Sequence, residues 1–313
     1  MLDMIPGPIR GLISLAGYTL NTLFWCILLF PMALVKLILP IEGWRRACSR
    51  VLNLIASCWI AVNNLNLQAM NKIRWDIRGT EALRAGSWYL VLSNHQSWVD
   101  ILVLQRIFHR RIPFLKFFIK QELIWMPVLG LAWWALDFPF VKRYSRETLA
   151  SNPHLKGKDL EITRKACRKF CDIPVSIMNF AEGTRFTRTK HQRQKSPYTH
   201  LLRPRSGGIA FVLNAMGDQM ASILDVTIVY PRGGAPSFWE MLCGRLQEVI
   251  VRVREIPVTE ELRGDYFNDP AYRSRFQAWL NQLWLEKDAR IGAIQAKAQA
   301  NNRRSTDAFQ RAA

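Results

Sequence analysis

The residues best suited to chemistry are Asn94-His95-Gln96-Ser97-Trp98-Val99-Asp100. They follow a near-continuous apolar run over 88–93, which reads as a buried strand, and precede a helical pattern over 100–108. His95 therefore falls on the turn after a strand, where α/β proteins place ligands. Asp100 lies five positions on and can return to the imidazole around the turn. A carboxylate holding one ring nitrogen fixes the tautomer and makes the other more basic. That second nitrogen can take a proton from a hydroxyl as it attacks a carbonyl. Alone, a His-x4-Asp spacing is also common in purely structural settings.

A second group is Glu182-Gly183-Thr184-Arg185, directly after a strand expected over 174–180. At a strand end it can face the same cleft. Gly183 permits an unusual backbone angle or a close ligand approach. Arg185 offers a planar fork to phosphate oxygens, and Glu182 can orient a cation or cap the turn. The bland alternative is a solvated charged turn. Positions 185–205 hold seven Lys or Arg and no acid. They read either as a mobile, solvated basic loop or as a segment meeting anionic headgroups or an acidic acyl carrier.

The elements that must position these groups alternate in type. Strands are expected over 73–77, 88–93, 113–119, 138–141, 174–180, 223–230 and 249–253. Helices are expected over 100–108, 159–171, 207–216 and 270–287. This is the pattern of an α/β domain with one sheet, here 72–289. Residues 123–136 are apolar with three Trp and are expected to touch a membrane, though short for a span. From 290 to 313 the chain is rich in Ala, Gln, Asn and Arg and reads as a polar tail that frays.

Ahead of this body, residues 11–35 carry no charge. At about 1.5 Å per residue they can cross a hydrocarbon core of about 30 Å. Pro31 falls inside the run and is expected to kink or end the helix. Only Arg10 is basic before the run, whereas Lys36, Arg45, Arg46 and Arg50 follow it, placing the C-terminal bulk in the cytoplasm. Residues 51–71 read as an interfacial helix packed beside the first, so 1–71 form a membrane anchor.

Composition narrows the partners. The net charge is +19, which attracts polyanions, and the apolar N-terminus favours lipid over nucleic acid. Cys26, Cys48, Cys58, Cys167, Cys171 and Cys243 form no C-x-x-C pair, and the five His lack ligand spacing, so no metal is expected.

Taken in order, several blocks resemble the glycerolipid acyltransferase family, whose best-known member converts lysophosphatidic acid to phosphatidic acid. They are Asn94-His95-x4-Asp100, then Lys120-x-Glu122-Leu123-x3-Pro127-x2-Gly130, then Phe138-x-Phe140-Val141-x-Arg143, then Phe180-x-Glu182-Gly183-Thr184-Arg185, then a strand closing on Pro231. The likeness extends to inner-membrane acyltransferases of enterobacteria. It implies an α/β fold with a mixed sheet flanked by helices on a membrane-embedded helical anchor. It implies His95 as general base and Asp100 as its orienting partner. Lys120 and Arg185 would bind the acceptor phosphate, in a pocket shaped by Arg143, Glu182, Gly183 and Thr184. The implied donor is acyl-CoA or acyl carrier protein, the acceptor a lysophospholipid, with no cofactor and no acyl-enzyme. The implied site is the cytoplasmic side of a bacterial inner membrane. Three alternatives stay open: the same chemistry on another hydroxyl, a hydrolase, or a non-catalytic basic membrane protein binding anionic lipid or nucleic acid.

Overall fold

The computed structural model describes residues 5–141, 173–232 and 234–312. Arg143, Cys167, Cys171 and the helix expected over 159–171 lie outside them. Two long helices open the chain, α1 (Gly7–Ile38) and α2 (Glu42–Met70). The body follows: β1 (Arg74–Arg78), β2 (Trp88–Ser93), α3 (Val99–Phe108), β3 (Leu115–Phe117), β4 (Ile119–Lys120), α4 (Leu129–Ala135), β5 (Phe140–Val141) and β6 (Ser176–Phe180). Then come α5 (Arg188–Gln194), α6 (Gly207–Met216), β7 (Met220–Val229), α7 (Phe238–Leu242), β8 (Glu248–Pro257) and α8 (Pro270–Ala312).

Six strands form one sheet in the order β1-β8-β7-β2-β6-β3, and β4 pairs with β5 in a separate short ladder. Every pairing is parallel except β7 with β8, so the sheet is mixed, as expected. The central strand β2 alternates between two cores. Leu90 and Leu92 pack with Val212 and Leu213 of α6 and Leu280 and Trp284 of α8. Tyr89 and Val91 pack with Leu67 of α2, Val103 and Leu104 of α3, and Leu242 of α7. The period-2 geometry of a strand produces this split. It also gives the continuous apolar run, because both faces are covered.

The helical hairpin is built differently from the body. α1 is long and apolar enough to cross a membrane, and many of its large side chains face outward, among them Leu20, Phe24, Ile27 and Leu34. Pro31 does not end it; the helix runs on to Ile38. Small and amide residues join it to α2: Asn21 Nδ2 donates to Asn63 Oδ1 (2.8 Å), and Asn66 Nδ2 donates to the Ser14 carbonyl (2.9 Å). Asn63 and Asn66, two of the residues that make 51–71 less apolar, are thus interhelical ties, the role amides play where water is scarce. α2 starts nine residues earlier than the uncharged stretch suggests, because Arg45, Arg46 and Arg50 are compatible with helix. The hairpin also lies along the body rather than projecting from it. A Cβ on Gly11 would meet Cys243 Sγ and Trp239 at 2.9 Å. Cys26, Leu29 and Ala33 share a core with Ala132, Ala135 and Leu136, and Lys36 pairs with Asp137.

Two other stretches depart from expectation. Residues 123–136 form no single long helix but a 3-10 turn (Gln121–Trp125) and the seven-residue α4, which rises only about 10 Å. Trp125 is 86% exposed and Leu131 56%. The tail does not fray at 290: α8 continues to Ala312, and Ile291 is buried in the core beneath it. Ala, Gln, Lys and Arg favour helix, and no Gly or Pro follows Gly292, so composition that reads as a polar tail propagates the helix instead.

Candidate active site

Three neighbouring strands, β6, β2 and β7, run parallel and in register, with Ser93 opposite Phe180 on one side and Val226 on the other. Their C-terminal ends therefore emerge together. β2 delivers His95, β6 delivers Glu182, and β7 delivers Tyr230. Asn94 fixes the first turn to β7: its Nδ2 donates to the Ile228 carbonyl and its Oδ1 accepts the Ile228 N–H, both at 2.9 Å.

His95 Nδ1 lies 2.9 Å from Asp100 Oδ2. The same oxygen accepts the N–H groups of Gln96 (2.6 Å) and Ser97 (2.9 Å), and Oδ1 accepts the Tyr230 hydroxyl (2.6 Å). Asp100 is fully buried and His95 nearly so. Four donors thus converge on this one carboxylate. An anion at that distance makes Nδ1 the donor and leaves Nε2 as the acceptor. Nε2 has no partner among the described residues. The imidazole stacks on Phe180, with ring centroids 3.8 Å apart and 12° between planes. The ring is thus held edge and face with its basic nitrogen open, the arrangement a general base requires.

Glu182 supports this turn from below. Its Oε1 accepts the His95 N–H (3.1 Å) and its Oε2 the Leu202 N–H (2.9 Å). Burial pushes the carboxyl up to about 8, against the two N–H groups and the charge of Lys287. Glu182 is therefore a tie between two loops, not a group facing solvent. Gly183 has φ +70° and closes the turn with its N–H on the Phe180 carbonyl (2.8 Å), a conformation that costs a side chain but not glycine. Thr184 Oγ1 accepts from Lys190 Nζ (2.7 Å). Arg185 is exposed, and its guanidinium lies over the Trp98 ring, 4.8 Å from the centroid.

Of the residues singled out in the sequence, His95, Asp100, Glu182, Gly183, Thr184 and Arg185 come together. Lys120 does not join their network. It sits exposed at the end of β4, and no hydrogen bond or ion pair ties it to the cluster. Its neighbour Phe117 stacks 6.3 Å from Phe180, which is the nearest link. The basic segment 185–205 is ordered rather than mobile. Thr187 caps α5 by accepting the Lys190 N–H, and Tyr198, Leu201 and Leu202 are buried. N–H groups of the His turn, which could have stabilised an oxyanion, are spent on Asp100 and Glu182. Those of Thr184 and Arg185 carry no hydrogen bond among the described residues.

Sequence reasoning missed Tyr230 and the support beneath Glu182. Tyr230 ends a strand just before Pro231, but its partner Asp100 lies 130 positions away. The second is a buried ion cluster in which Lys287 Nζ contacts Asp225 Oδ1 (2.6 Å), while Arg290 and Arg254 approach Oδ2 (3.1 and 3.4 Å). Burial works against the Asp225 carboxylate, but the charges of Lys287 and Arg290 outweigh it and hold it below its ordinary value. The only signal in the sequence was an Asp in an otherwise apolar strand. A cavity of about 400 Å³ between α1, α2 and α4, lined by Lys36, Arg45 and Trp134, does not touch this site.

The family model described as acyltransferase matches residues 74–231, just over half of the chain. The mouse 1-acyl-sn-glycerol-3-phosphate acyltransferase gamma is 28% identical over 212 residues, covering 64% of this chain and 51% of that protein. The human delta form is 26% identical over 213 residues, with the same coverage of each. The chain thus spans about half the length of the curated relatives it matches. A crystal structure of the 1-acyl-sn-glycerophosphate (LPA) acyltransferase from Thermotoga maritima covers 90% of this chain and 97% of its own, at 15% identity and a TM-score of 0.47. With its His–Asp pair and Glu-Gly-Thr-Arg turn inside the matched segment, this chain belongs to the acyltransferase family.

Proposed function

We propose that the protein transfers a fatty-acyl chain from acyl-CoA or acyl carrier protein to the sn-2 hydroxyl of lysophosphatidic acid, giving phosphatidic acid. The observation that carries the reading is His95 held on Nδ1 by a buried, four-donor Asp100 with Nε2 free, beside the exposed cation of Arg185. The names of the relatives, 1-acyl-sn-glycerol-3-phosphate acyltransferases, support the acceptor.

In this reading both substrates are bound together. Nε2 of His95 takes the proton of the acceptor hydroxyl as its oxygen attacks the thioester carbonyl. The C–O bond forms, the C–S bond breaks, and the proton passes from His95 to the departing thiolate. Asp100 stabilises the imidazolium that exists between those steps. The oxyanion would take the N–H groups of Thr184 and Arg185, since those of the His turn are committed. Arg185 would hold the acceptor phosphate. Lys120 would extend that site from the end of β4, with Arg143 as a further residue of the phosphate pocket.

The protein would work at the cytoplasmic face of a bacterial inner membrane. Because α1 touches the body at Gly11 near one end and at Ala33 near the other, we place the hairpin along one leaflet rather than across the bilayer. The outward Leu, Ile and Phe of α1, with Trp125 and Leu131, would face acyl chains. Arg45 and Arg46, exposed just after the hairpin turn, would meet headgroups.

The test is an acceptor panel. Purified protein in mixed micelles is given palmitoyl-CoA with lysophosphatidic acid, lysophosphatidylcholine, monoacylglycerol or no acceptor. Phosphatidic acid should form at least about tenfold faster than any other product, the discrimination expected of a charge-assisted phosphate contact. Equal acylation of the neutral acceptors, or release of free fatty acid alone, would defeat the assignment.

A further inference from the structure

A second cavity, of about 400 Å³, opens beside the His95 turn. Its walls include Gln96, Arg188, His191 and His200, with Ile291 and Gln295 of α8 behind them. It adjoins the reacting group directly. Gln96 follows His95 in the chain, and the Phe186 N–H, on another wall, donates to the His95 carbonyl (2.7 Å). We infer that this cavity holds the 4′-phosphate of the phosphopantetheine arm, which CoA carries within a diphosphate and acyl carrier protein within a phosphodiester. The inference rests on the thioester-donor reading and deepens it.

Three observations select that occupant. First, the cavity offers a cation and no carboxylate: Arg188 lines it and, among the described residues, no Asp or Glu does. No acid occurs between positions 185 and 205, and the neighbouring carboxylate, Asp288, is occupied by the N–H groups of Thr199 (2.8 Å) and His200 (2.7 Å). Arg188 presents an exposed guanidinium, suited to phosphate oxygens. Second, the cavity is built rather than fortuitous. His191 Nε2 contacts the Tyr198 carbonyl (2.6 Å), its ring packs on Phe186, and the loop between them is anchored by Glu182 and Asp288. Third, it lies on the sheet face covered by α8, whose Ile291 packs with Leu90 and Leu92. The hairpin packs with Tyr89 and Val91 on the opposite face. A polar pocket remote from the apolar hairpin suits the water-soluble end of a donor, whereas a lysolipid arrives from the hairpin side. Arg185 and Arg188 would thus serve different phosphates near one imidazole.

The experiment is equilibrium binding to the full-length protein in micelles, without turnover. Three probes are used: the non-hydrolysable thioether of palmitoyl-CoA, the same thioether on acyl carrier protein, and lysophosphatidic acid. Their wild-type affinities identify the natural carrier. Arg188→Glu should weaken both thioethers by about tenfold or more and leave lysophosphatidic acid within about twofold, and Arg188→Lys should recover most of the loss. Should Arg188→Glu fail to fold, Gln192→Glu, at the exposed rim of the same cavity, should act in the same direction. The inference is overturned by unchanged thioether binding or by no thioether binding in the wild type. It is equally overturned if lysophosphatidic acid is lost instead, or if only the carrier-protein probe is lost, which would mark a surface contact. Wild-type protein that binds the thioethers yet acylates no lysophosphatidic acid would leave the cavity assigned and remove the acceptor reading.

Discussion

Replacing Tyr230 by Phe deletes one oxygen and tests how firmly Asp100 is held. Among the described residues three donors converge on Oδ2, but the Tyr230 hydroxyl is the only one on Oδ1, at 2.6 Å and fully buried. Burial, followed by the neighbouring Asp100 charge, holds the phenol well above its ordinary value, so it remains a neutral donor throughout the working range of pH. Losing a hydrogen bond to a buried charged group costs about 1.5–3 kcal/mol, which should appear as a lower unfolding temperature. The functional consequence is read in the rate. Without the phenol, Asp100 loses its hold on Oδ1 and orients the imidazole less firmly, so kcat should fall by up to about tenfold while KM for the acceptor changes little. Thermal unfolding and steady-state kinetics on wild type and variant supply both readings. An unchanged unfolding temperature with unchanged kcat would refute the reasoning. A lower temperature with unchanged kcat would reduce Tyr230 to a packing residue.

Glu182 predicts a stability change of the opposite kind to an ordinary salt-bridged acid. Its folded-state value of about 8 exceeds the usual 4.5, so between those values the folded protein keeps a proton that the unfolded chain has released. Stability should fall as pH rises from about 5 to 8 and level off above, and Glu182→Gln should flatten that slope when unfolding temperature is followed against pH. Asp225→Asn removes the charge facing the fully buried Lys287 and should destabilise the protein by about 3–5 kcal/mol, read by chemical denaturation; a loss below about 1 kcal/mol would contradict a structural role for that cluster.

The alternation of strands and helices was legible because β2 is buried on both faces and α6 is a compact apolar helix; the boundaries expected for both coincide with the observed ones. The His95–Asp100 contact was legible because both residues lie on one local turn. What failed to show was nonlocal or conditional on packing. Tyr230 meets Asp100 only through the parallel register of β2 and β7. Lys287 reads as an exposed helical lysine until α8 is laid over Asp225. The end of α8 was misread because polar composition marks solvent exposure, not loss of helix, and Ile291 holds that part of the helix to the core. In the hairpin, the uncharged run is legible in the sequence, whereas the contacts of α1 with Trp239 and Ala132 depend on the folded body.

The most direct test of the central claim is the turnover of His95→Gln, a near-isosteric change that keeps a polar side chain but removes the base. Wild type and variant, matched for unfolding temperature, are given labelled palmitoyl-CoA and lysophosphatidic acid. The account predicts that kcat for phosphatidic acid falls by about 10²–10⁴-fold while KM for the acceptor changes little. A variant that retains activity within about tenfold of the wild type would show that His95 is not the base and that the reaction is carried elsewhere.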